Sequence, residues 1–352
     1  MDPLSGADDD VDVVDGIELI DFARSLIDID STTGVEGEVA TVLAAELESL
    51  GYQVRLQRLA NRGDGPHARS NVFAWIDDPV VVFSTHFDCV PAFFESRVEN
   101  DRLYGRGSSD AKGILAAQVI AAERLRAAGE RRVGLLFVAG EERGSDGAMA
   151  ANTMAPASVK YLINGEPTEN RLGAATRGVY RVKLTAHGRA AHSSRPDLGE
   201  SAIEKLIDVL TELRSAPWPE DPLLGRTHYT VGLINGGVAP NVIPALASAE
   251  LLFRSVGPEQ DIHAVLEQTI AGRATIEHVL TVPPVRLKTV PGFATEVFWY
   301  TTDIPFLDKW GTPLLIGPGS VTEAHTKDES VPLQELAEAV GLYERLAREL
   351  LG

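Results

Sequence analysis

Cysteine is almost missing from this chain. A single Cys89 among 352 residues excludes an internal disulfide framework and any cysteine-based zinc site, so a bound metal would have to be held by histidine and carboxylates. A reducing compartment fits this usage. Also missing is any run approaching the roughly 18 apolar residues that span a bilayer, so no membrane partner is expected. There is no Lys/Arg cluster with interleaved aromatics, and 51 acidic against 32 basic residues give a formal net charge of −19. Such a surface repels phosphate backbones, so nucleic acid is not an expected partner. The acidity fits salt adaptation and plain solubility alike, and identifies no substrate. The opening residues, MDPLSGADDDVDVVDG, lack the basic and apolar regions of a secretory signal. Residues 1–15 are therefore expected to form a solvated acidic tail, and the expected location is the cytoplasm.

What is present is the composition of a globular protein, 44% apolar and 24% charged, at a length that favours two domains. GIELIDFARSLIDID and VEGEVATVLAAELESLGY carry apolar residues at helical spacing. They are followed by the extended stretches YQVRLQRL, SNVFAWI and PVVVFSTHFD, the last a β-branched run of the kind buried in parallel sheets. GILAAQVIAAERLRAAG predicts a helix, and RRVGLLFVAG and VKYLING predict short apolar strands. From about Gly178 the texture changes to four strands with two helices, a small α+β sandwich of ferredoxin-like type. The last part returns to the first pattern, with the strand PLLIGPG and the helix LQELAEAVGLYERLARELL. The expected fold class is α/β: a doubly wound, mostly parallel sheet built from residues 16–177 and 286–352, with residues 178–285 inserted as a separate α+β domain.

Metal-seeking side chains recur just after the apolar runs: His86 with Asp88, Asp110, Glu141-Glu142, Glu166 and His325. In a doubly wound sheet, ligands bind outside the carboxyl ends of the strands, so the series reads as a metallohydrolase site. Residues two apart on a strand face one way, so Asp88 can hold the His86 ring and fix its tautomer. Asp110 alone would read as the N-cap of the helix starting near Lys112; with His86 upstream and two glutamates downstream it becomes a candidate bridging carboxylate. Glu141 and Glu142, adjacent on an extended backbone, would point to opposite sides, one toward a cation and the other toward substrate as a proton carrier. Glu166 taken alone is a loop acid. His325 alone is a loop histidine, but it follows a Gly317-Pro318-Gly319 turn that brings backbone close to the crevice.

The motifs THFDCVP, GRGSSDAKG, EERGSDGA, NGEPT, GRAAHSSRPDLGESAI, GGVAPNVIP and GPG…AHTKDE occur in the order of a known family. The chain resembles the M20 metallopeptidases over essentially everything after the tail, close to the branch of acetylornithine deacetylase, succinyl-diaminopimelate desuccinylase and acyl-lysine hydrolase. The resemblance implies that His86 and Glu166 bind one metal and Glu142 and His325 another, with Asp110 bridging and Glu141 as general acid/base. It implies two divalent ions, zinc foremost, with cobalt or manganese able to substitute. It further implies that the inserted domain is a lid and dimerisation domain of a homodimer, that His192 stabilises the oxyanion in the partner's site, and that Asn241, Arg254 and the Gly319 backbone grip the substrate carboxylate. Where many relatives have an acid two residues before this arginine, this chain has Leu252.

The expected activity is removal of an acetyl or succinyl group from an N-acyl amino acid of arginine or lysine biosynthesis. A dipeptidase or carboxypeptidase using the same site is the first alternative. A catalytically inactive metal-binding protein is the second, against which an intact Glu141 argues.

Overall fold

The computed structural model describes residues 13–14, 17–60 and 68–352. The predicted acidic tail lies outside the described residues apart from Val13–Val14, whose backbone pairs with Ile17–Glu18. In chain order the principal elements are α1 (Leu19–Ile27), α2 (Gly37–Ser49), β1 (Gln53–Arg58), β2 (Ser70–Trp75), β3 (Val81–His86), α3 (Lys112–Ala127), β4 (Val133–Val138), α4 (Asp146–Ala151) and β5 (Tyr161–Asn164). They continue with β6 (Gly178–His187), α5 (Ala202–Leu213), β7 (His228–Gly236), β8 (Leu246–Ser255), α6 (Glu259–Ile270), β9 (Ala274–Val282), β10 (Thr312–Leu315) and α7 (Leu333–Leu351). Among the described residues no helix is long and apolar enough to cross a membrane.

The chain forms two compact units. One runs to Ala174 and resumes at Leu287–Glu296 and Thr302–Gly352; the other comprises Ala175–Arg286 and Val297–Thr301. The second unit thus begins at Ala175 rather than at residue 178, because Ala175 and Thr176 pair with Arg286 and Val285. It also takes in Val297–Thr301, which composition alone assigned to the first.

In the first unit six strands run in the order β10-β5-β3-β4-β2-β1. The pairs β10–β5, β5–β3 and β3–β4 are parallel, while β2 and β1 are antiparallel additions at one edge. Every residue of β3 and β4 is buried, as parallel strands covered on both faces must be. Alternate side chains divide between two cores. Val81, Phe83, Leu135 and Phe137 pack with α1, α2, α3 and α7, whereas Val82, Leu136 and Val138 pack with α4, Met154 and Trp310. Helix α3 is buried almost all round, its alanines allowing close approach to the sheet. Because β3, β4, β5 and β10 run the same way, the segments carrying His86, Glu141-Glu142, Glu166 and His325 all leave from one edge of the sheet.

The second unit is built on a four-stranded antiparallel sheet in the order β7-β8-β6-β9. Helices α5 and α6 bury Leu206, Val209, Leu213, Ile262, Leu266 and Ile270 with Val182, Leu184, Leu251 and Phe253 of the sheet. Its principal elements follow one another in the order β-α-β-β-α-β.

Candidate metal centre

Strand β3 ends in the buried imidazole of His86. Its Nδ1 lies 3.0 Å from the Asp88 carbonyl oxygen, so Nδ1–H donates there and Nε2 is the nitrogen directed at the site. The ring is therefore held by the backbone of Asp88 more closely than by its carboxylate, which stands 3.5 Å away. That carboxylate is engaged elsewhere. Its Oδ1 accepts the Glu141 N–H at 3.0 Å, and its Oδ2 accepts the Glu142 N–H at 3.2 Å and the Thr33 hydroxyl at 2.8 Å. Burial opposes its charge, yet His86, Thr33 and the Glu141 amide hold Asp88 below the usual carboxylate range. Asp88 thus fixes the segment bearing both glutamates, a role sequence spacing did not suggest.

Glu141 and Glu142 lie in a single 3₁₀ turn, Glu141–Arg143, rather than on the extended backbone expected from the sequence. The turn begins after Gly140 at φ 83°, where a Cβ would stand 2.0 Å from Asp146 Oδ1 and 2.5 Å from an Arg69 nitrogen; only glycine fits. Arg69 clamps this corner, bonding Asp146 through both Nη atoms and Glu36 through Nε.

Asp110 joins the two halves of the site. Its Oδ1 is 2.9 Å from His86 Nε2, and its Oδ2 is 3.2 Å from His325 Nε2. His325 Nε2 also lies 2.8 Å from Glu142 Oε1. Two donor sets result, His86-Asp110-Glu166 and Asp110-Glu142-His325, with the candidate ligand atoms of each within 4.8 Å of one another.

The electrostatics call for cations. Burial first, and then the charges of Asp110, Asp303 and a neighbouring glutamate, push both Glu141 and Glu166 well above the usual carboxylate range, with His86 opposing. Glu166 Oε1 is buried with no hydrogen-bond partner. His325 is pushed up to about 10 by its contacts with Asp110 and Glu142. Although burial works the other way, contacts with Asp110 and Asp88 raise His86 well above its ordinary value. The donor set, three carboxylates with two imidazoles, is one that divalent ions would fit.

Sequence reasoning missed two buried acids. Glu329 Oε1 accepts the backbone N–H groups of Gly107, Ser109 and Asp110 at 3.1, 3.1 and 3.0 Å, and Oε2 takes Arg106 at 2.6 Å. It thereby sets the loop that presents Asp110. Burial and the Asp110 charge push it up to about 7 against the pull of the amides and Arg106. The available signal was the acid four residues after His325 in AHTKDE. Asp303, in TTDIPF, is also buried, and burial pushes it up to about 7 against the pull of the Ser145 side chain. Nothing in its sequence setting marked it.

Replacing Glu329 by Ala leaves three amides and the Nη1 of Arg106 without their partner in the interior. It is expected to cost about 3–5 kcal/mol in chemical denaturation, with Glu329→Gln losing distinctly less because its amide oxygen still accepts. A negligible loss in the alanine variant would show that the carboxylate is not what holds the loop.

The remaining predicted residues separate. Gly319 does not offer a free donor: its N–H is bound to Glu335 Oε2 at 2.9 Å, because Glu335 lies in the first turn of α7, beneath the loop. In the second unit, His192 is exposed, its Nδ1 2.8 Å from Ser194 Oγ. Its neighbour Ser193 donates to the Asn241 carbonyl at 3.0 Å, and His192 bridges to Val242, so His192 and Asn241 lie on paired segments. Arg254 is on β8, between Val179 of β6 and His228 of β7.

The chain matches the family described as Peptidase family M20/M25/M40 over residues 82–349. It is 37% identical over 340 residues to a peptidase M20 domain-containing protein of Schizosaccharomyces pombe, covering 94% of this chain and 84% of the relative. It is 34% identical over 393 residues to a protein named probable carboxypeptidase from Aspergillus clavatus, covering 99% and 86%. Among solved structures it resembles the aminopeptidase PepT of Bacillus cereus, with a TM-score of 0.77 at 19% identity, covering 95% of this chain and 98% of that one. The chain belongs to the M20 peptidase family and is a metal-dependent hydrolase.

Proposed function

We propose that this protein is a dinuclear metal exopeptidase that hydrolyses the amide bond beside a free carboxylate, as a carboxypeptidase or dipeptidase. The observation that carries this reading is the shared Asp110: each of its oxygens faces a different imidazole, while Glu141 belongs to neither donor set. His86 and Glu166 would hold one ion, Glu142 and His325 the other, and Asp110 both. Ions so held would supply Lewis-acid polarisation of the scissile carbonyl and lower the proton affinity of water near neutral pH.

Glu141 takes a proton from the attacking water as the new C–O bond forms, and returns it to the nitrogen as the C–N bond breaks, releasing a carboxylic acid and an amine. Asp88 holds the turn that aims Glu141. His192 would stabilise the oxyanion, acting across a homodimer in which the second unit is lid and dimerisation surface. Asn241 and Arg254 would take the substrate's free carboxylate; a planar guanidinium suits two-pronged capture.

The sequence motifs favoured a biosynthetic deacylase. The same metal ligands serve either reaction, and the carboxypeptidase name carried by the Aspergillus clavatus relative favours the peptidase. The test is a substrate panel under Zn²⁺ and Co²⁺: dipeptides and N-blocked dipeptides against acetylornithine, acetylcitrulline, acetyl-lysine and succinyl-diaminopimelate. The expected result is that the peptides have the higher kcat/KM. Turnover of acyl amino acids alone would restore the deacylase reading.

A further inference from the structure

The ladder between β2 and β4 ends at Val72 and Phe137. Past that point β4 runs into the turn that carries Glu141 and Glu142, and two side chains take over from the backbone. Arg69 and Asn71 flank the first residue of β2 and, two apart, face the same way. Asn71 is fully buried. Its Oδ1 accepts the Ala139 N–H at 3.2 Å, and its Nδ2 donates to the Gly147 carbonyl at 2.8 Å and to Gln57 Oε1 at 2.9 Å. One amide side chain thus fastens both the entry to the turn and the exit from it, as a neighbouring peptide group would. Arg69 fastens the exit a second time, with both Nη atoms on Asp146 at 2.7 and 2.9 Å.

The backbone closes on itself at the same place. The Gly147 N–H donates to the Ala139 carbonyl at 3.1 Å, and the Ser145 N–H to the Gly140 carbonyl at 2.8 Å. The fit leaves no slack: a Cβ on Gly147 would stand 2.6 Å from Asn71 Oδ1 and 2.1 Å from the Ala139 carbonyl oxygen. The segment is therefore held at its base from β2 and nearer its tip by Asp88, which accepts the N–H groups of Glu141 and Glu142. Arg69, Asn71 and Asp146 stand outside both donor sets. Burying a guanidinium and an amide is costly unless their bonds are made, and what these bonds secure is the backbone that bears Glu141.

We propose that Asn71 and the Arg69–Asp146 pair are positioning residues for Glu141, fixing the backbone from which its carboxylate reaches the attacking water and the departing nitrogen. The proposal rests on the reading of Glu141 as proton carrier. Such a group acts within about 2.6–3.2 Å of the atom it serves, and a displacement of about 1 Å costs on the order of a hundredfold in rate. Asp88 holds the two amides of the turn, but the direction in which the turn leaves β4 is set at its base. That direction is what the β2 side chains govern.

The test joins a double-mutant cycle to hydrogen exchange. Asp146→Ala removes a half-exposed carboxylate and leaves Arg69 its bond to Glu36; Asn71→Ala is the companion variant, and should it fail to fold, Asp146→Ala carries the same expectations. Assayed at saturating Zn²⁺ on the best substrate of the panel, each should lower kcat by about tenfold or more and change KM by less than about twofold. In a Glu141→Gln background the same substitutions should lower the residual kcat by less than about twofold, because aiming a group that no longer transfers protons changes nothing. Asp146→Asn, whose amide oxygen still accepts from Arg69, should recover part of the loss. In metal-free protein, amide exchange of residues 139–147 should quicken by about tenfold or more in both alanine variants, while α3 and α7 keep their wild-type rates. Equal losses of kcat with and without the Glu141 carboxylate, or unchanged exchange in the turn, would overturn the proposal. Turnover of acyl amino acids alone would sink the exopeptidase reading, and the cycle run on that substrate would still decide this one.

Discussion

Glu141→Gln is expected to reduce kcat by about 10²–10⁴-fold, the usual worth of a positioned general acid/base, while leaving bound metal and KM close to those of wild type. The reason is geometric. Glu141 is absent from both donor sets, so neither ion depends on it. Its backbone N–H is held by Asp88, and this bond survives the change of side chain. Glutamine abolishes proton transfer at this position without altering shape. Metal content by elemental analysis, read beside steady-state kinetics, checks the prediction. A variant that loses metal in step with activity would show that Glu141 is a ligand, and the assignment of a separate proton carrier would be wrong.

Asp110→Ala should have a different signature: loss of both ions together, with activity falling below detection. Two histidines on different strand ends face one carboxylate, so removing it strips an anionic ligand from each donor set at once. His86→Ala and His325→Ala each remove a neutral ligand from one set only, and each should leave about one ion bound. A readout independent of turnover is the stabilisation that metal gives. An ion present at about a hundred times its Kd adds about 2.7 kcal/mol, so wild type should melt at a higher temperature as Zn²⁺ is added, and Asp110→Ala should not respond. If Asp110→Ala keeps one tightly bound ion and half the thermal response, Asp110 serves a single ion and the bridging geometry is wrong.

Much of the sheet was legible because buried parallel strands are written as apolar runs. PVVVFSTHFD and RRVGLLFVAG are wholly buried at their centres, and the polar residues that follow them fall where the strands stop. The metal-ligand candidates were legible for the same reason. What escaped was whatever depends on backbone groups meeting side chains across the fold. The Asp88 carboxylate reaches the amides of Glu141 and Glu142, more than fifty positions away. Glu329 gathers three amides from a loop some 220 residues earlier. Main-chain N–H groups carry no signature in a sequence, so although Asp88 and Glu329 stand in the motifs THFDCVP and AHTKDE, neither clamp could be read from them. The Gly319 amide misled for a related reason: a glycine turn near a crevice invites a ligand, but Glu335 arrives from α7 to satisfy it. The placing of Glu141 and Glu142 failed locally, since Gly140 and Gly144 both take positive φ and fold the pair into a turn. Substrate class was the least legible, because the ligands that hold the ions are common to deacylases and peptidases.

The most direct test of the central claim is to locate the ions themselves, by anomalous diffraction from crystals of the zinc-loaded enzyme, together with activity after exhaustive chelation. Two zinc peaks are expected about 3.5–4 Å apart, one against His86, Asp110 and Glu166, the other against Asp110, Glu142 and His325, with hydrolysis lost on chelation and restored by zinc. A single peak, peaks remote from Asp110, or full activity in metal-stripped protein would contradict the account.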